Sequence, residues 1–200
     1  MSPQAVVNDD LKLVELCRSG DRVAFDRLVL KYQHRVVGMC TRLLASRMDG
    51  EDAAQECFVK VYTNISRFAG ESSFSTWLYR IAVNTCRNRH RSWWTRLRRQ
   101  STPLDTGQGR DDDDSRQPAD IGDTRFTPVK DLERKRLAAA LEKAVNELPL
   151  QQRELVVLRD IQGLSYEEIE TVTGQAEGTV KSRLFRARSQ LQQKLKDIRK

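Results

Sequence analysis

An all-α fold of two small helical domains, joined by a flexible acidic linker, is what this 200-residue sequence predicts. Three observations predict it. Apolar residues recur at helical spacing in both halves of the chain, and no stretch alternates as a strand would. Between the halves lies QSTPLDTGQGRDDDDSRQPADIGDTRFTPVK, rich in Pro, Gly, Ser, Asp and Thr and nearly empty of periodic apolar residues. Such a segment cannot bury enough surface to offset its ordering entropy. A structureless loop of about 30 residues inside one compact domain would be unusual. The third observation is the C-terminal sequence, where a short capped helix, a glycine turn and a basic helix give the outline of a helix-turn-helix. The boundaries read as residues 1–98 for the N-terminal domain, 99–130 for the linker and 131–200 for the C-terminal domain.

The elements follow in order. Phe25, Leu28, Val29, Tyr32, Val36, Cys40, Leu43 and Leu44 space as one helix from about Arg22 to Arg47, with Asp21 as its N-cap. A second helix starts near Glu51, with Ala54, Phe58, Val61, Tyr62 and Ile65 as its stripe. SRFAGESS breaks that pattern at Gly70, and a third helix starts near Ser73 with Phe74, Trp77, Leu78, Ile81 and Thr85 facing inward. In the C-terminal half, a helix spans roughly Asp131 to Asn146, and Pro149 opens the next, which runs to about Asp160. Ser165 with Glu168 is a capping-box pattern, and Gly174 is a helix stop. The last helix carries Val180, Leu184, Leu191 and Leu195 on one side.

Charge is distributed in blocks. The net charge is +7, yet residues 1–86 are close to neutral. Residues 87–99 hold six arginines and no acid; residues 100–130 are acidic; residues 178–200 hold eight basic residues and one acid. Two basic blocks, each closing a segment, favour an anionic partner. No apolar run approaches the ~18 residues of a membrane span, and the N-terminal sequence lacks the charged and apolar regions of a signal peptide, which predicts a cytoplasmic protein with no direct membrane insertion. Cys17, Cys40, Cys57 and Cys86 lie far apart, and only two histidines accompany them, so reduced structural thiols are expected and no metal site. No phosphate loop or hydrolase motif occurs, so neither catalytic residues nor a cofactor are predicted. The acids Glu51, Asp52 and Glu56 have no histidine beside them.

Two segments carry recognition chemistry. On the last helix, Lys181, Ser182, Phe185, Arg186 and Arg188 lie off the apolar side; such side chains suit a DNA major groove. On the third helix, Arg80, Asn84, Arg87, Asn88 and Arg91 recur opposite the Trp77–Leu78–Ile81 stripe and lead into RNRHRSWWTRLRR. Arginine attracts phosphate, and aromatic rings stack on unpaired bases. Trp77 reads as core. Trp93 and Trp94 read equally as a packed cap or as nucleic-acid contacts, and Phe68 as either a loop anchor or a ring that receives an unstacked base.

Taken in order, GDRVAFDRLVLKYQHRVVG, DAAQECFVKVY, FSTWLYRIAVNTCRNRHR, LPLQQRELVVLRDIQGLSYEEIE and GTVKSRLFRAR resemble the extracytoplasmic-function sigma factors of bacterial RNA polymerase, most of all the envelope-stress subgroup. The resemblance covers nearly all of the chain outside the linker. It implies a transcription initiation factor whose second helix, through Asp52, Gln55, Glu56 and Phe58, docks on clamp helices of the core polymerase. It implies that Phe68, Gly70, Ser73, Arg80, Asn84 and Arg87 serve the non-template single strand of the minus-ten element. It implies that Lys181, Ser182, Phe185 and Arg186 read the minus-thirty-five element as duplex. Lys181 stands where the family leads one to expect arginine. The linker would run through the polymerase, and a stress regulon and an anti-sigma factor, often membrane-anchored in the family, are implied as well. A stand-alone helix-turn-helix regulator and a nucleic-acid enzyme are the competing readings. The docking helix argues against the first, and the missing metal or nucleophile set against the second.

Overall fold

A computed structural model describes residues 3–100 and 128–198. Among these the chain forms helices only: α1 (Pro3–Arg18), α2 (Arg22–Leu44), α3 (Arg47–Asn64), α4 (Phe74–Gln100), α5 (Pro128–Asn146), α6 (Leu150–Val156), α7 (Tyr166–Thr173) and α8 (Glu177–Ile198). A 3₁₀ turn, Ile65–Arg67, follows α3, and a π-helical turn, Val157–Ile161, extends α6. The expected linker lies outside the described residues, apart from its two ends, which continue α4 and begin α5.

Local chemistry sets the boundaries. The Asp21 carboxylate accepts from the Val23 and Ala24 amides and starts α2. That helix ends earlier than its apolar spacing predicts, because Ala45 turns left-handed at φ 52° and the Ser46 hydroxyl accepts from the Asp49 amide to begin α3. No glycine announces this stop, and a non-glycine residue held there carries a steric cost. The Ser73 hydroxyl accepts from the Thr76 amide and caps α4. Ser165 and Glu168 form the full capping box of α7, and Gly174 ends it at φ 70°.

In the N-terminal domain, α1 to α4 share one core through Leu28, Val36, Met39, Leu43, Ala53, Ala54, Cys57, Leu78 and Val83. The buried face of α3 keeps Ala54 and Val61 of the predicted stripe, with Ile65 buried in the turn that follows, but not its two large aromatic residues. It is made of Gly50, Ala53, Ala54, Cys57 and Val61, whereas Phe58 is half-buried and Tyr62 is exposed, its ring edge on Phe25 at 5.0 Å. Small residues win that face because α2 passes very close: a Cβ on Gly50 would lie 2.4 Å from the Thr41 Cα. α1, which lies ahead of the first predicted helix, docks through Leu13, Val14 and Asp10; the buried Asp10 carboxylate accepts from the Tyr32 hydroxyl and the Lys31 ammonium, both at 2.5 Å. Three thiols meet in this core. Burial pushes the Cys57 thiol above its ordinary value, and a hydrogen bond with Cys40, together with burial, does the same for Cys86. They pack as small apolar groups and are poor nucleophiles.

The C-terminal domain packs α5 to α8 around Leu148, Leu155, Leu158, Ile169, Val172, Val180, Leu184 and Ala187. The two domains touch: α7 lies across α4, and the Arg153 guanidinium donates to the Leu43 carbonyl at the end of α2 at 3.1 Å.

Candidate nucleic-acid interface

Three surfaces emerge from this packing. The first is an open groove of about 470 Å³ between α3 and α4, lined by Lys60, Asn64, Arg67, Trp77, Arg80, Ile81, Asn84 and Thr85. Arg80 and Asn84 were foreseen; Lys60, Asn64 and Arg67 were not, because they belong to α3 and the 3₁₀ turn and reach the site only through tertiary packing. Lys60 is held in place by its own helix and by α4, with Nζ 2.7 Å from Glu56 and 3.1 Å from the Thr85 hydroxyl. Lys60 and then Arg89 hold the Glu56 carboxyl below the usual carboxylate range. The Asn64 amide donates to the Lys60 carbonyl at 2.8 Å.

The loop beside this groove is anchored from below. Phe68 is 2% exposed, with its ring 5.3 Å from Trp77 and 6.0 Å from Phe74. Its carbonyl accepts from Arg18 of α1. Of the two readings of Phe68, the geometry takes the packed one: in this conformation the ring supports the groove and offers no face to a base. Gly70 is exposed and left-handed at φ 78°, so it serves the turn. Ser73 is half-buried and tied to the Thr76 hydroxyl at 2.7 Å. Arg87 is not open to solvent in the groove, because it forks onto Glu154 of the C-terminal domain.

The second surface is the outer face of α3. Met48, Asp52, Gln55, Val59 and Tyr62 are all exposed and follow one another at intervals of four and three residues. Met48 is 72% and Val59 64% exposed. Those intervals place the five side chains along one outward face of the helix. Arg89 of α4 bridges Glu56 at 3.0 Å and Asp52 at 3.6 Å along its edge. Phe58 packs toward the core and supports this face from beneath.

The third surface is α8. Val180, Leu184 and Ala187 are buried, which turns Lys181, Ser182, Phe185 and Arg186 outward. Phe185 is 74% exposed. Lys181 lies 2.5 Å from Glu177 and 5.3 Å from the Tyr166 ring centre. At the far end of α4, Trp93 and Trp94 pack edge-on at 5.0 Å and stay exposed, and the Trp94 indole donates to His90 Nε2 at 3.1 Å. Burial and the nearby Arg153 keep the His90 pKa below its ordinary value, in keeping with an imidazole that accepts. Among the described residues, no three His, Cys, Asp or Glu side chains could hold a metal ion together, and no helix is long and apolar enough to cross a membrane.

A basic groove beside a helix-turn-helix defines a two-domain helical protein built to bind DNA. Comparisons with known proteins give the class its family. Residues 28–96 match the family model for Sigma-70 region 2, and residues 138–191 match Sigma-70, region 4. The sigma-E factor of Haemophilus influenzae, an extracytoplasmic-function factor, is 39% identical, covering 94% of this chain and 96% of its own. RNA polymerase sigma-H factor of Pseudomonas aeruginosa is 36% identical, covering 94% and 95%. Among solved structures, the sigma factor RpoE of Bartonella quintana, in complex with the anti-sigma factor NepR, superposes with a TM-score of 0.66 at 26% identity, covering 86% of this chain and 96% of that one. CnrH, solved with the cytosolic domain of CnrY, shares the fold with a TM-score of 0.63 at 24% identity, covering 94% and 98%. The chain belongs to the extracytoplasmic-function sigma factors of bacterial RNA polymerase, which are transcription initiation factors.

Proposed function

We propose that the protein docks on core RNA polymerase through the exposed seam of α3, captures the unpaired non-template strand of the minus-ten element in the α3–α4 groove, and reads the minus-thirty-five element with α8. The observation that carries this reading is the groove itself. It joins Lys60, Arg67 and Arg80, which suit phosphate, to Asn64 and Asn84, whose amides suit base edges. It lies on one domain while the helix-turn-helix face lies on the other, as recognition of two separate elements requires. The groove is open and shallow, which fits a strand better than an enclosed small molecule.

The docking seam supports the first part. Its spacing suits a helical partner, and Asp52, Gln55 and Glu56 add polar recognition beside the apolar Met48, Val59 and Tyr62. Phe58 contributes by holding that face in shape. The domains divide as residues 1–98 and 131–200. The protein acts in the cytoplasm with the polymerase, without catalysis or cofactor of its own. It controls a stress regulon and is restrained by an anti-sigma factor; the Bartonella relative is bound to such an inhibitor.

The experiment is a comparison of two steps with the reconstituted polymerase. Asn84→Ala should lower open-complex formation, read by permanganate reactivity of the minus-ten thymines, more than it lowers closed-complex binding to duplex promoter. An equal loss in both steps would refute strand-specific capture.

A further inference from the structure

Past the groove, α4 runs on to Gln100 and borders a second open cleft, of about 410 Å³, against α6. Arg87, Arg91, Trp94 and Arg98 follow one another at intervals of four, three and four residues, so one edge of the helix faces this cleft. Trp94 therefore has a guanidinium about one turn away on either side, and Arg91 and Arg98 lie ~10 Å apart along the axis. Leu150 and Gln151 of α6 form the opposite wall. Among the described residues that line the cleft, Glu154 alone is acidic, and Arg87 already forks onto it with bonds of 3.0, 3.1 and 2.7 Å. Three guanidinium groups against one carboxylate leave the lining net positive. Trp94 is 46% exposed, so it is not a core side chain. Its ring is nonetheless held in place. The indole N–H donates to His90 Nε2 at 3.1 Å, and the Trp93 ring packs edge-on at 5.0 Å.

We propose that this cleft is a nucleotide-binding site, with a base stacked on Trp94 and phosphate oxygens held by Arg91 and Arg98. It shares no residue with the strand-capture groove, so the inference stands apart from the reading of that groove. A nucleotide joins a flat π-face to an anionic group, and the cleft sets a held aromatic ring between two cations. A guanidinium fork meets phosphate oxygens with two parallel bonds, as Arg87 shows with the Glu154 carboxylate. Leu150 adds an apolar wall, and the Gln151 amide offers both a donor and an acceptor to a base edge. The volume falls within the ~300–1,000 Å³ of small-molecule sites. An inorganic anion would leave the indole unused, and an apolar ligand would leave the guanidinium groups unused. Every base has a π-face, so the site defines a class of ligand and not one base. A free nucleoside triphosphate and an exposed nucleotide of a DNA strand present the same chemistry, and the test separates these two sources.

The test is equilibrium dialysis of the full-length protein without polymerase. The probes are ATP, GTP and UTP, inorganic triphosphate, and a short single-stranded oligonucleotide. Trp94→Ala and Arg91→Gln are compared with the wild type. Both positions are exposed, so the fold should hold, and circular dichroism checks this. Arg91→Gln keeps the test open should Trp94→Ala disturb the end of α4. With a free nucleotide as the source, the expected result is saturable binding of the nucleoside triphosphates, tighter than that of inorganic triphosphate and weakened about tenfold in each variant. With a strand as the source, the oligonucleotide binds instead, with the same loss in both variants and affinity retained in Asn84→Ala. Inorganic triphosphate bound as tightly as the nucleotides would overturn the proposal, because the indole would then contribute nothing. Nucleotide binding that neither variant weakens would overturn it too, as would a folded wild type that binds none of the probes. Oligonucleotide binding that Asn84→Ala removes and Trp94→Ala leaves intact, with no nucleotide bound, would assign the strand to the groove and leave this cleft without its ligand.

Discussion

Gly50→Ala is a one-methyl test of how α3 is placed. The new Cβ would lie 2.4 Å from the Thr41 Cα and 2.5 Å from both its amide nitrogen and its hydroxyl oxygen. Ordinary contact lies near ~3.5–4 Å, and two of these three atoms are backbone, so α2 and α3 must separate by about an ångström. Overpacking of this kind costs ~1–3 kcal/mol, and the gap it opens forfeits further dispersion contacts. Alanine in place of helical glycine returns ~0.8–1.0 kcal/mol. The net expectation is a loss of about 1–2 kcal/mol, or a fall in melting temperature of roughly 4–16 °C for a domain of this size. All three tryptophans, Trp77, Trp93 and Trp94, lie on α4, so indole fluorescence during heating follows the N-terminal domain selectively. Gly38→Ala is the internal control. Its Cβ would meet only the swinging Arg42 Nη1, at 3.0 Å, so stability should hold or rise by up to ~1 kcal/mol. A Gly50→Ala protein as stable as the wild type would refute the close-packed account of α2 and α3, and with it the account of how the α3 seam is aimed.

Three further outcomes follow from the geometry. Val59→Ala with Tyr62→Ala, on the exposed seam, should weaken binding to core polymerase by about 1–3 kcal/mol in a competition assay while leaving the fold intact; unchanged affinity would remove the seam from the interface. Arg186→Ala should cost ~1–3 kcal/mol on the preferred minus-thirty-five sequence and relax discrimination there, and an unaltered preference would sink its base-reading role. The third concerns pH. Unfolded thiols ionise near pH ~8.5, whereas Cys57 and Cys86 stay protonated in the fold because their pKa values are raised. Above that pH the native state holds more protons than the unfolded state. Stability should therefore be full below it and fall as pH rises, by up to ~1.4 kcal/mol per pH unit for each thiol. Urea midpoints across that window should show the decline, and Cys57→Ala should make it shallower; an identical slope in the variant would contradict the assignment.

How far the sequence could be read depended on the range of the interaction. Caps are local, so Asp21, the Ser165–Glu168 box and the Gly174 stop were legible, as was the inward face of α8. Ala45 was not, because a left-handed alanine has no compositional signal; the only local hint is Ser46 with Asp49 three residues on. The face of α3 was misjudged at Phe58 and Tyr62 because large apolar residues suggest burial, whereas a close helix crossing selects glycine and alanine and leaves Tyr62 outside. α1 escaped notice because its buried set includes Asp10, whose burial is explained only by Lys31 and Tyr32 on another helix. The groove was half-read. Arg80 and Asn84 share a helix, but Lys60, Asn64 and Arg67 join them only in three dimensions. No sequence spacing could have paired Arg87 with Glu154, which stand 67 residues apart on different domains.

The most direct test of the central claim is reconstitution. The purified protein is mixed with bacterial core RNA polymerase, and run-off transcription is scored from a genomic promoter library. The account predicts discrete transcripts that require both components and start downstream of shared minus-ten and minus-thirty-five elements. Failure to bind core polymerase, with tight and specific binding to duplex DNA by the protein alone, would contradict it.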